Sequence, residues 1–269
     1  MNPVGTENPH NNKHFIDIYE TFRPDYPKEI FYSIYHFMMD VRANFDLAMD
    51  VCAGAAKASK PLCTYFKQVI ALDSSEDFLS RGPDGVPNLI YQVADCSRPL
   101  TFLRSQSVDL VNVASALRFL ERRRFYCEVD RVLKPGGCFS LMCVTIPRLT
   151  CADGGAYTII KQKLLKDVFE KHRRRMEQIY SGLDNCDIMY PYYKKFPPIY
   201  REMTLTSESC IQMFLTIDVI YDHARDHPDY LDSVRRSFFD WNQGNQLKTF
   251  TVTIPSQLVI MHKPWQHRG

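Results

Sequence analysis

The stretch that decides the fold is Asp46–Asp73, DLAMDVCAGAAKASKPLCTYFKQVIALD. An apolar run ends in an acidic residue, a turn of small residues follows, and after a segment of helical length a second apolar run ends in another acid. That order predicts a strand, a helix and a parallel strand, whose carboxyl ends lie at the ligand-binding edge of an open α/β sheet. Because residues 53–56 have very small side chains, their backbone N–H groups can approach a ligand. Asp73 is placed to accept hydrogen bonds from a ribose diol.

The same turn disfavours a dinucleotide cofactor. A dinucleotide fingerprint has three glycines, so that a pyrophosphate can sit on the helix N-terminus, and this turn keeps only Gly54. A phosphate-bearing cofactor is therefore disfavoured. The turn favours a cofactor that has adenosine and ribose but no phosphate, which is S-adenosylmethionine.

Six segments of the chain follow one family pattern in register. They are Tyr19–Pro27 (YETFRPDYP), Asp50–Ala56 (DVCAGAA), Val69–Asp73 (VIALD), Tyr91–Asp95 (YQVAD), Ser107–Arg118 (SVDLVNVASALR) and Phe125–Gly137, which ends in RVLKPGG. On these motifs the chain, from Tyr19 to about Pro264, resembles the class I S-adenosylmethionine-dependent methyltransferases. Within that class it is most similar to the branch of the trans-aconitate methyltransferase-like proteins.

The resemblance implies roles for individual residues. Asp73 would bind the ribose hydroxyls, Asp95 the adenine amino group, and the loop after the fourth strand would face the methyl group. Arg118, in that loop, is the residue implied at the reacting centre. The full cofactor-binding set that the resemblance implies is Tyr19, Arg23, Asp50, Cys52, Gly54, Asp73, Ser74, Asp95, Cys96, Ala114 and Ser115.

The chain departs from the family pattern at three positions. Cys52 replaces the first glycine of the turn, Ala56 replaces the third, and Arg118 stands where the family usually has histidine. Alanine at the third position is compatible with the close packing of helix on strand that this glycine allows. A β-carbon at Cys52 is expected to crowd the cofactor or to force a strained backbone.

The hydrophobic pattern predicts an α/β fold, a doubly wound and mainly parallel sheet of seven strands. Five strands are predicted near 46–51, 68–73, 89–94, 107–113 and 137–145, alternating with helices, as in a parallel sheet covered on both faces. Two closing strands, 247–254 and 257–262, are predicted on either side of Pro255 and Ser256. Helices are predicted over 27–42, 157–181 and 207–241, and the proline-rich segment 190–200 is predicted to be non-helical. The domain prediction is one methyltransferase domain over 1–269, with a flexible tail over 1–14 and a helical, substrate-covering insertion over 150–245.

Composition excludes several classes of protein. The net charge is +2 and the pI about 8.0, below the value of about 9 expected of a dedicated nucleic-acid binder. No apolar run approaches the roughly 20 residues of a membrane span, and the polar N-terminal segment has no signal-peptide pattern. A cytoplasmic location is therefore expected. Nine cysteines without a C-x-x-C pair indicate reduced thiols, with neither a disulfide framework nor a zinc site.

Two basic runs and one pair of histidines each have a structural interpretation and a functional one. The basic runs Arg122–Arg124 and Lys171–Arg175 are typical of solvated helix faces, and the alternative is an electrostatic funnel for an anionic substrate. His223 and His227 have the spacing of a zinc site, but no glutamate follows the first histidine. A solvated pair near a helix C-terminus is the favoured interpretation, and no metal site is predicted.

The predicted function is methyl transfer to a small molecule, with no nucleic-acid or membrane partner and no indication of an oligomeric state. The resemblance suggests a carboxylate acceptor, which is already ionised at neutral pH and needs no general base. Arg118 and Arg23 would then bind the anion. Two alternatives remain: a regulatory, cofactor-binding protein with a degenerate turn, and a nicotinamide-dependent reductase supported only by the strand–helix–strand unit.

Overall fold

The computed structural model describes residues 9–150 and 155–265. The contacts divide the chain into two compact units. Of the described residues, the first unit contains 9–24, 145–150, 155–181 and 200–255, and the second contains 25–144, 182–199 and 256–265. The predicted insertion over 150–245 falls in the first unit, except for residues 182–199.

Strands and helices are numbered in chain order. The strands are β1 Leu47–Val51, β2 Gln68–Asp73, β3 Leu89–Val93, β4 Val108–Ala114, β5 Leu133–Val144, β6 Arg148–Thr150, β7 Tyr192–Lys195, β8 Ile199–Thr206 and β9 Thr249–His262. The helices are α1 Lys13–Phe22, α2 Lys28–Asp40, α3 Ser59–Leu62, α4 Glu76–Leu79, α5 Arg122–Val132, α6 Gly155–Ile159, α7 Lys166–Lys171, α8 Arg173–Ser181, α9 Ser207–Leu215, α10 Asp218–Asp226 and α11 Pro228–Asn242. A π-helical segment, Ile160–Leu165, joins α6 to α7.

The second unit contains the predicted parallel sheet. Its strands run in the order β3-β2-β1-β4-β5, all parallel, and the C-terminal half of β9 pairs antiparallel with β5. Strand β7 pairs with residues 259–262 of β9 on the side away from β5. The carboxyl ends of β1, β2, β3 and β4 therefore meet at one edge, where open α/β sheets bind ligands.

Both faces of this sheet are covered, because successive strand residues point to opposite faces. On one face α2 buries residues such as Ile34 and Met38 against Ala48 of β1. On the other, α5 buries Phe125 and Val129 in the cluster that includes Met49, the next residue of the same strand. The predicted doubly wound α/β fold is confirmed.

The first unit is mainly helical and contains α1, α6–α11, β6, most of β8 and the N-terminal half of β9. Helix α1 begins after Asn12, whose side chain accepts hydrogen bonds from the backbone N–H groups of His14 and Phe15, a standard N-cap. Residues 9–11 form a 3₁₀ helix. The described part of the predicted tail, residues 9–14, is therefore structured, whereas residues 1–8 lie outside the described residues.

Three details of the strand and helix pattern differ from the prediction. The described residues contain nine strands rather than seven, since β7 and β8 lie in the segment expected to be a helical insertion and β6 ends at its first residue. The two closing strands are one continuous strand, β9. Pro255 lies where the partner of β9 changes from β6 to β5, so its missing N–H interrupts neither ladder. The helices after β1 and β2 are four residues each.

No helix within the described ranges 9–150 and 155–265 is long and apolar enough to cross a membrane.

Candidate active site

The turn after β1 has a backbone that normally requires glycine. Cys52, Gly54 and Ala56 all have left-handed conformations, with φ of 55°, 54° and 57°. A non-glycine residue in this region costs roughly 1 kcal/mol. Three residues of the turn therefore have the conformation that glycine adopts most easily, although only one of them is a glycine, and the predicted backbone strain at Cys52 is confirmed.

Asp73 closes this turn from the end of β2. Its Oδ2 accepts a hydrogen bond from the Gly54 N–H at 2.9 Å, and its Oδ1 accepts one from the Ser75 N–H, also at 2.9 Å. The Asp73 side chain is half-buried, and its neighbour Ser74 is exposed. Each carboxylate oxygen has a second lone pair, so Asp73 can still accept hydrogen bonds from a ligand.

Asp50 lies inside the sheet. It is fully buried and accepts hydrogen bonds from the Ser59 hydroxyl at 2.5 Å and from the Asn112 amide at 2.7 Å. Ser140 in turn donates to Asn112 Oδ1 at 2.6 Å. Burial raises the pKa of Asp50 to about 6, although the hydrogen bonds from Ser59 and Asn112 act in the opposite direction. Asp50 was predicted to bind cofactor, but its side chain is occupied within the core, where it fixes the strands beneath the turn.

Asp95 lies at the end of β3 and is exposed. Its Oδ1 accepts a hydrogen bond from the Ser97 N–H at 2.8 Å, and Arg98 lies 3.5 Å from Oδ2. Hydrogen bonds from the Ser97 hydroxyl and amide hold the pKa of Asp95 below its usual value. Asp95 is therefore an ionised, accessible acceptor. The next residue, Cys96, is buried.

The loop after β4 is held in a defined shape by Ser115. This residue follows Ala114, the last residue of the strand, and has a left-handed φ of 58°. Its hydroxyl accepts hydrogen bonds from the Tyr26 hydroxyl and from the Val144 N–H, both at 3.1 Å. Tyr26 lies in the 19–27 motif, but the sequence predicts no role for it, because a motif position does not reveal what its side chain contacts.

Arg118 is anchored to the same loop. Its Nη1 donates to the Ser115 carbonyl at 2.9 Å, and its guanidinium lies 4.2 Å from the centre of the Phe119 ring. These two contacts orient the guanidinium. Arg118 is half-buried near the carboxyl end of β4, on the edge of the sheet where it was expected.

Tyr19 and Arg23 belong to the first unit. There Arg23 Nη1 donates to Thr216 Oγ1 at 3.3 Å, and the guanidinium lies 5.7 Å from the centre of the Tyr19 ring. Their binding of cofactor or acceptor stays a prediction.

The histidine pair is not solvated as predicted. His223 is 1% exposed, stacks on His227 with 4.3 Å between ring centres, and packs edge-on against His172 at 5.5 Å. Burial, followed by the charges of His227, His172 and Lys171, lowers the pKa of His223 to about 4. Among residues 9–150 and 155–265 no group of three or more His, Cys, Asp or Glu could hold a metal ion.

The basic runs mostly face solvent, with local ion pairs. Arg124 pairs with Glu121, and Arg122 with Asp187. In the second run Arg175 bridges two acids of α10, Asp218 and Asp222, at 2.8 Å each. That arginine therefore holds α8 to α10.

The region that builds this edge of the sheet corresponds to a known family. Residues 49–141 match the family model described as a methyltransferase domain. Over these residues the chain is a methyltransferase domain. The cofactor of this family is S-adenosylmethionine, as the sequence predicted, whereas the trans-aconitate methyltransferase-like branch stays a prediction.

Curated relatives match part of the chain. A Dictyostelium discoideum protein named as a candidate methyltransferase is 32% identical over 132 residues, which are 49% of this chain and 48% of that protein. A Saccharomyces cerevisiae protein named as a candidate S-adenosylmethionine-dependent methyltransferase is 29% identical over 135 residues, 48% of this chain and 45% of that protein. The chain thus spans about half the length of these relatives.

A solved structure supports the fold of the methyltransferase domain. It is that of a candidate type II methyltransferase from Anaeromyxobacter dehalogenans, with a TM-score of 0.71 and 22% identity. The match covers 91% of this chain and 100% of that one.

Proposed function

We propose that the protein transfers a methyl group from S-adenosylmethionine to a small anionic molecule, with a carboxylate as the acceptor group. One observation carries this proposal. The left-handed turn 52–56 and two carboxylates, Asp73 and Asp95, which follow neighbouring strands, lie at the same edge of the sheet. A ligand with a ribose diol and an adenine amino group matches those acceptors, and the turn offers no three-glycine cradle for a pyrophosphate.

Asp73 and Asp95 would hold the nucleoside part of the cofactor. Each oxygen of Asp73 already accepts one backbone hydrogen bond and has capacity for another. Asp73 can therefore accept two ribose hydroxyls while it still holds Gly54. Asp95 is ionised and exposed, and a carboxylate is a strong acceptor for the N–H of an exocyclic amine.

S-adenosylmethionine supplies an electrophilic methyl group on a positively charged sulfur. The chain needs no base for a carboxylate acceptor, because such a group is ionised near neutral pH. Its own contribution is to position the acceptor and to exclude water. Arg118 suits the first task, since a guanidinium binds carboxylates through two parallel hydrogen bonds. Ser115 and Tyr26 would keep the Arg118 loop in place.

Calorimetry on the full chain tests the cofactor assignment. We expect S-adenosylmethionine and S-adenosylhomocysteine to bind and NAD not to bind. Asp95→Asn should weaken S-adenosylhomocysteine binding by about tenfold or more, the effect of losing a charge-assisted hydrogen bond. The matched control is Asp84→Asn, which alters an exposed loop carboxylate. Binding of NAD alone would favour the reductase alternative, and equal affinities for the two asparagine variants would remove Asp95 from the site.

A regulatory protein with the same fold is the second candidate function, and Cys52 and Ala56 are the observations that favour it. Both carry left-handed strain that a glycine would avoid. The two functions separate in a turnover assay that follows S-adenosylhomocysteine release with a panel of small mono-, di- and tricarboxylates. Cofactor binding without turnover on any carboxylate would support the regulatory function. A cytoplasmic location and the absence of nucleic-acid and membrane partners stay predictions from the sequence.

A further inference from the structure

Ser115 has a strained backbone at the ligand-binding edge of the sheet. It comes directly after β4 and has a left-handed φ of 58°, although it is not a glycine. Its N–H donates to the Met142 carbonyl of β5 at 2.8 Å, so this conformation is held against the neighbouring strand. The Ser115 side chain is half-buried and can therefore be reached by a ligand. Because strained residues of this kind concentrate at active sites and ligand clamps, the strain at Ser115 indicates a functional role.

The Ser115 hydroxyl accepts two hydrogen bonds and still has its proton to donate. The Val144 N–H donates to Oγ at 3.1 Å. The Tyr26 hydroxyl donates to the same oxygen at 3.1 Å, because the phenol is the more acidic of the two hydroxyls. A serine oxygen has two acceptor lone pairs and one O–H donor, so both lone pairs are used. Within residues 9–150 and 155–265 no group accepts the Ser115 proton, which is therefore available to a ligand.

The backbone of Ser115 holds a positive charge in the same loop as this donor. The Ser115 carbonyl accepts a hydrogen bond from Arg118 Nη1 at 2.9 Å, so the residue that carries the hydroxyl also orients the guanidinium. A carboxylate accepts hydrogen bonds and donates none, and its bonds to a cation are the strong, charge-assisted ones. A hydroxyl donor and a guanidinium that are fixed by one residue therefore match a carboxylate.

We propose that Ser115 belongs to the acceptor site, not to the cofactor-binding set that the resemblance implies, and that its hydroxyl donates to the acceptor carboxylate beside Arg118. Tyr26 is a positioning residue, because its bond to Ser115 Oγ keeps the Ser115 proton directed at the acceptor. Ser115 binds the carboxylate oxygen that is not methylated, since a hydrogen bond to the attacking oxygen would make it a weaker nucleophile. This inference rests on the proposed function, because its ligand is the carboxylate acceptor.

A carboxylate at this site has two possible sources. One is the acceptor, and the other is the methionine part of S-adenosylmethionine, which S-adenosylhomocysteine shares. Loss of the Ser115 hydroxyl raises the KM for the acceptor in the first case and weakens S-adenosylhomocysteine binding in the second. The two measurements therefore distinguish the acceptor site from the cofactor site.

Ser115→Gly in the full chain tests the role of the hydroxyl. Glycine keeps the carbonyl that orients Arg118 and adopts a φ of 58° without strain. With acetate, succinate and citrate as probes, we expect the KM of each active carboxylate to rise by about tenfold, as for a lost hydrogen bond to a charged group. Calorimetry should give an unchanged affinity for S-adenosylhomocysteine. Ser115→Ala, which keeps the Cβ, should raise the KM equally. Gln106→Gly, which relieves a φ of 55° before the opposite end of β4, should change neither value.

Tyr26→Phe tests the positioning role by a double-mutant cycle. Alone it should raise the KM by less than Ser115→Gly does, because the Ser115 proton remains but is no longer directed. In the Ser115→Gly background it should not change the KM further, since Tyr26 acts on the acceptor only through the Ser115 hydroxyl. Tyr190→Phe, which removes a tyrosine hydrogen bond to Asp130 of α5, should leave the KM unchanged in both backgrounds.

Three outcomes would overturn the inference while the proposed function stands. They are an unchanged KM in both Ser115 variants, a loss of S-adenosylhomocysteine affinity in place of the rise in KM, and, for Tyr26 alone, an equal effect of Tyr26→Phe in both backgrounds. If the unaltered protein binds S-adenosylhomocysteine but turns over none of the carboxylates, the proposed function fails, and this inference fails with it.

Discussion

The Asp73 carboxylate accepts the Gly54 N–H at 2.9 Å and so connects the end of β2 to the turn after β1. Gly54 is in the left-handed conformation, with φ of 54°, and this hydrogen bond holds it there. The other carboxylate oxygen caps the Ser75 N–H. One side chain thus fixes the shape of the turn and also presents acceptors to a ligand, so turn geometry and cofactor affinity are coupled through Asp73.

Replacing Asp73 by asparagine should weaken binding of S-adenosylhomocysteine by about tenfold to a hundredfold, because charge-assisted hydrogen bonds of 1.5–3 kcal/mol are lost. Stability should fall less, by about 1 kcal/mol, since the amide oxygen can still accept one of the two backbone N–H groups. Calorimetry and urea unfolding measure the two effects. The control is Asp77→Asn, an exposed carboxylate on α4. If Asp73→Asn loses stability but keeps its affinity for S-adenosylhomocysteine, Asp73 acts only as a helix cap and does not bind the cofactor.

Gly54→Ala should lower both stability and cofactor affinity. An added Cβ would meet Phe78 at an ordinary 3.5 Å, so the cost arises from the left-handed φ and is roughly 1 kcal/mol. Gly85→Ala is the matched control, because Gly85 has a φ of 71° with no atom within 4 Å of an added Cβ. Urea unfolding should show similar losses for both variants, and calorimetry should show weaker cofactor binding for Gly54→Ala only. Equal affinities would mean that the turn does not contact the cofactor.

Asp50 should make stability depend on pH. Its pKa is about 6 in the folded chain against 3.8 ordinarily, so the folded state binds a proton more readily than the unfolded state. Protonation of Asp50 therefore contributes fully to the free energy of unfolding below pH 3.8. This contribution, about 3 kcal/mol, is lost as the pH rises through about 6.

Asp50→Asn removes this dependence, because an amide stays neutral and can donate to the Ser59 hydroxyl. The free energy of unfolding of Asp50→Asn relative to the unaltered protein should rise by about 2.5 kcal/mol between about pH 4 and pH 7, measured by urea unfolding. Asp84→Asn, in an exposed loop, should show no such trend. A constant difference across that range would mean that Asp50 has no raised pKa.

Arg118→Met should raise the KM for a carboxylate acceptor by about tenfold or more while cofactor affinity stays unchanged, because the charged hydrogen bonds to the anion are lost and much of the apolar stem remains. The measurement is turnover with whichever carboxylate of the panel is active, together with calorimetry for S-adenosylhomocysteine. Arg123→Met, an exposed arginine on α5, is the control. Full activity with an unchanged KM in Arg118→Met would exclude Arg118 from acceptor binding.

The sequence alone determined the sheet and the position of its ligand-binding edge. Strands such as β1 and β2 are short, almost wholly apolar runs that end in an acid, and this local pattern is sufficient to predict a parallel sheet covered on both faces. The positions of Asp73 and Asp95 followed, since each comes at the end of its own strand. The departure at Cys52 was also visible, together with the strain that it causes.

Only the tertiary structure decided what each side chain contacts. Asp50 and Asp73 both follow an apolar run near the carboxyl end of a strand, yet Asp50 is enclosed by Ser59 and Asn112 whereas Asp73 reaches the turn. Residues far apart in sequence set these environments: Asn112 lies 62 positions from Asp50. A local pattern specifies strands through backbone periodicity, whereas burial, pKa and hydrogen-bond partners depend on which distant segments the folded chain brings together.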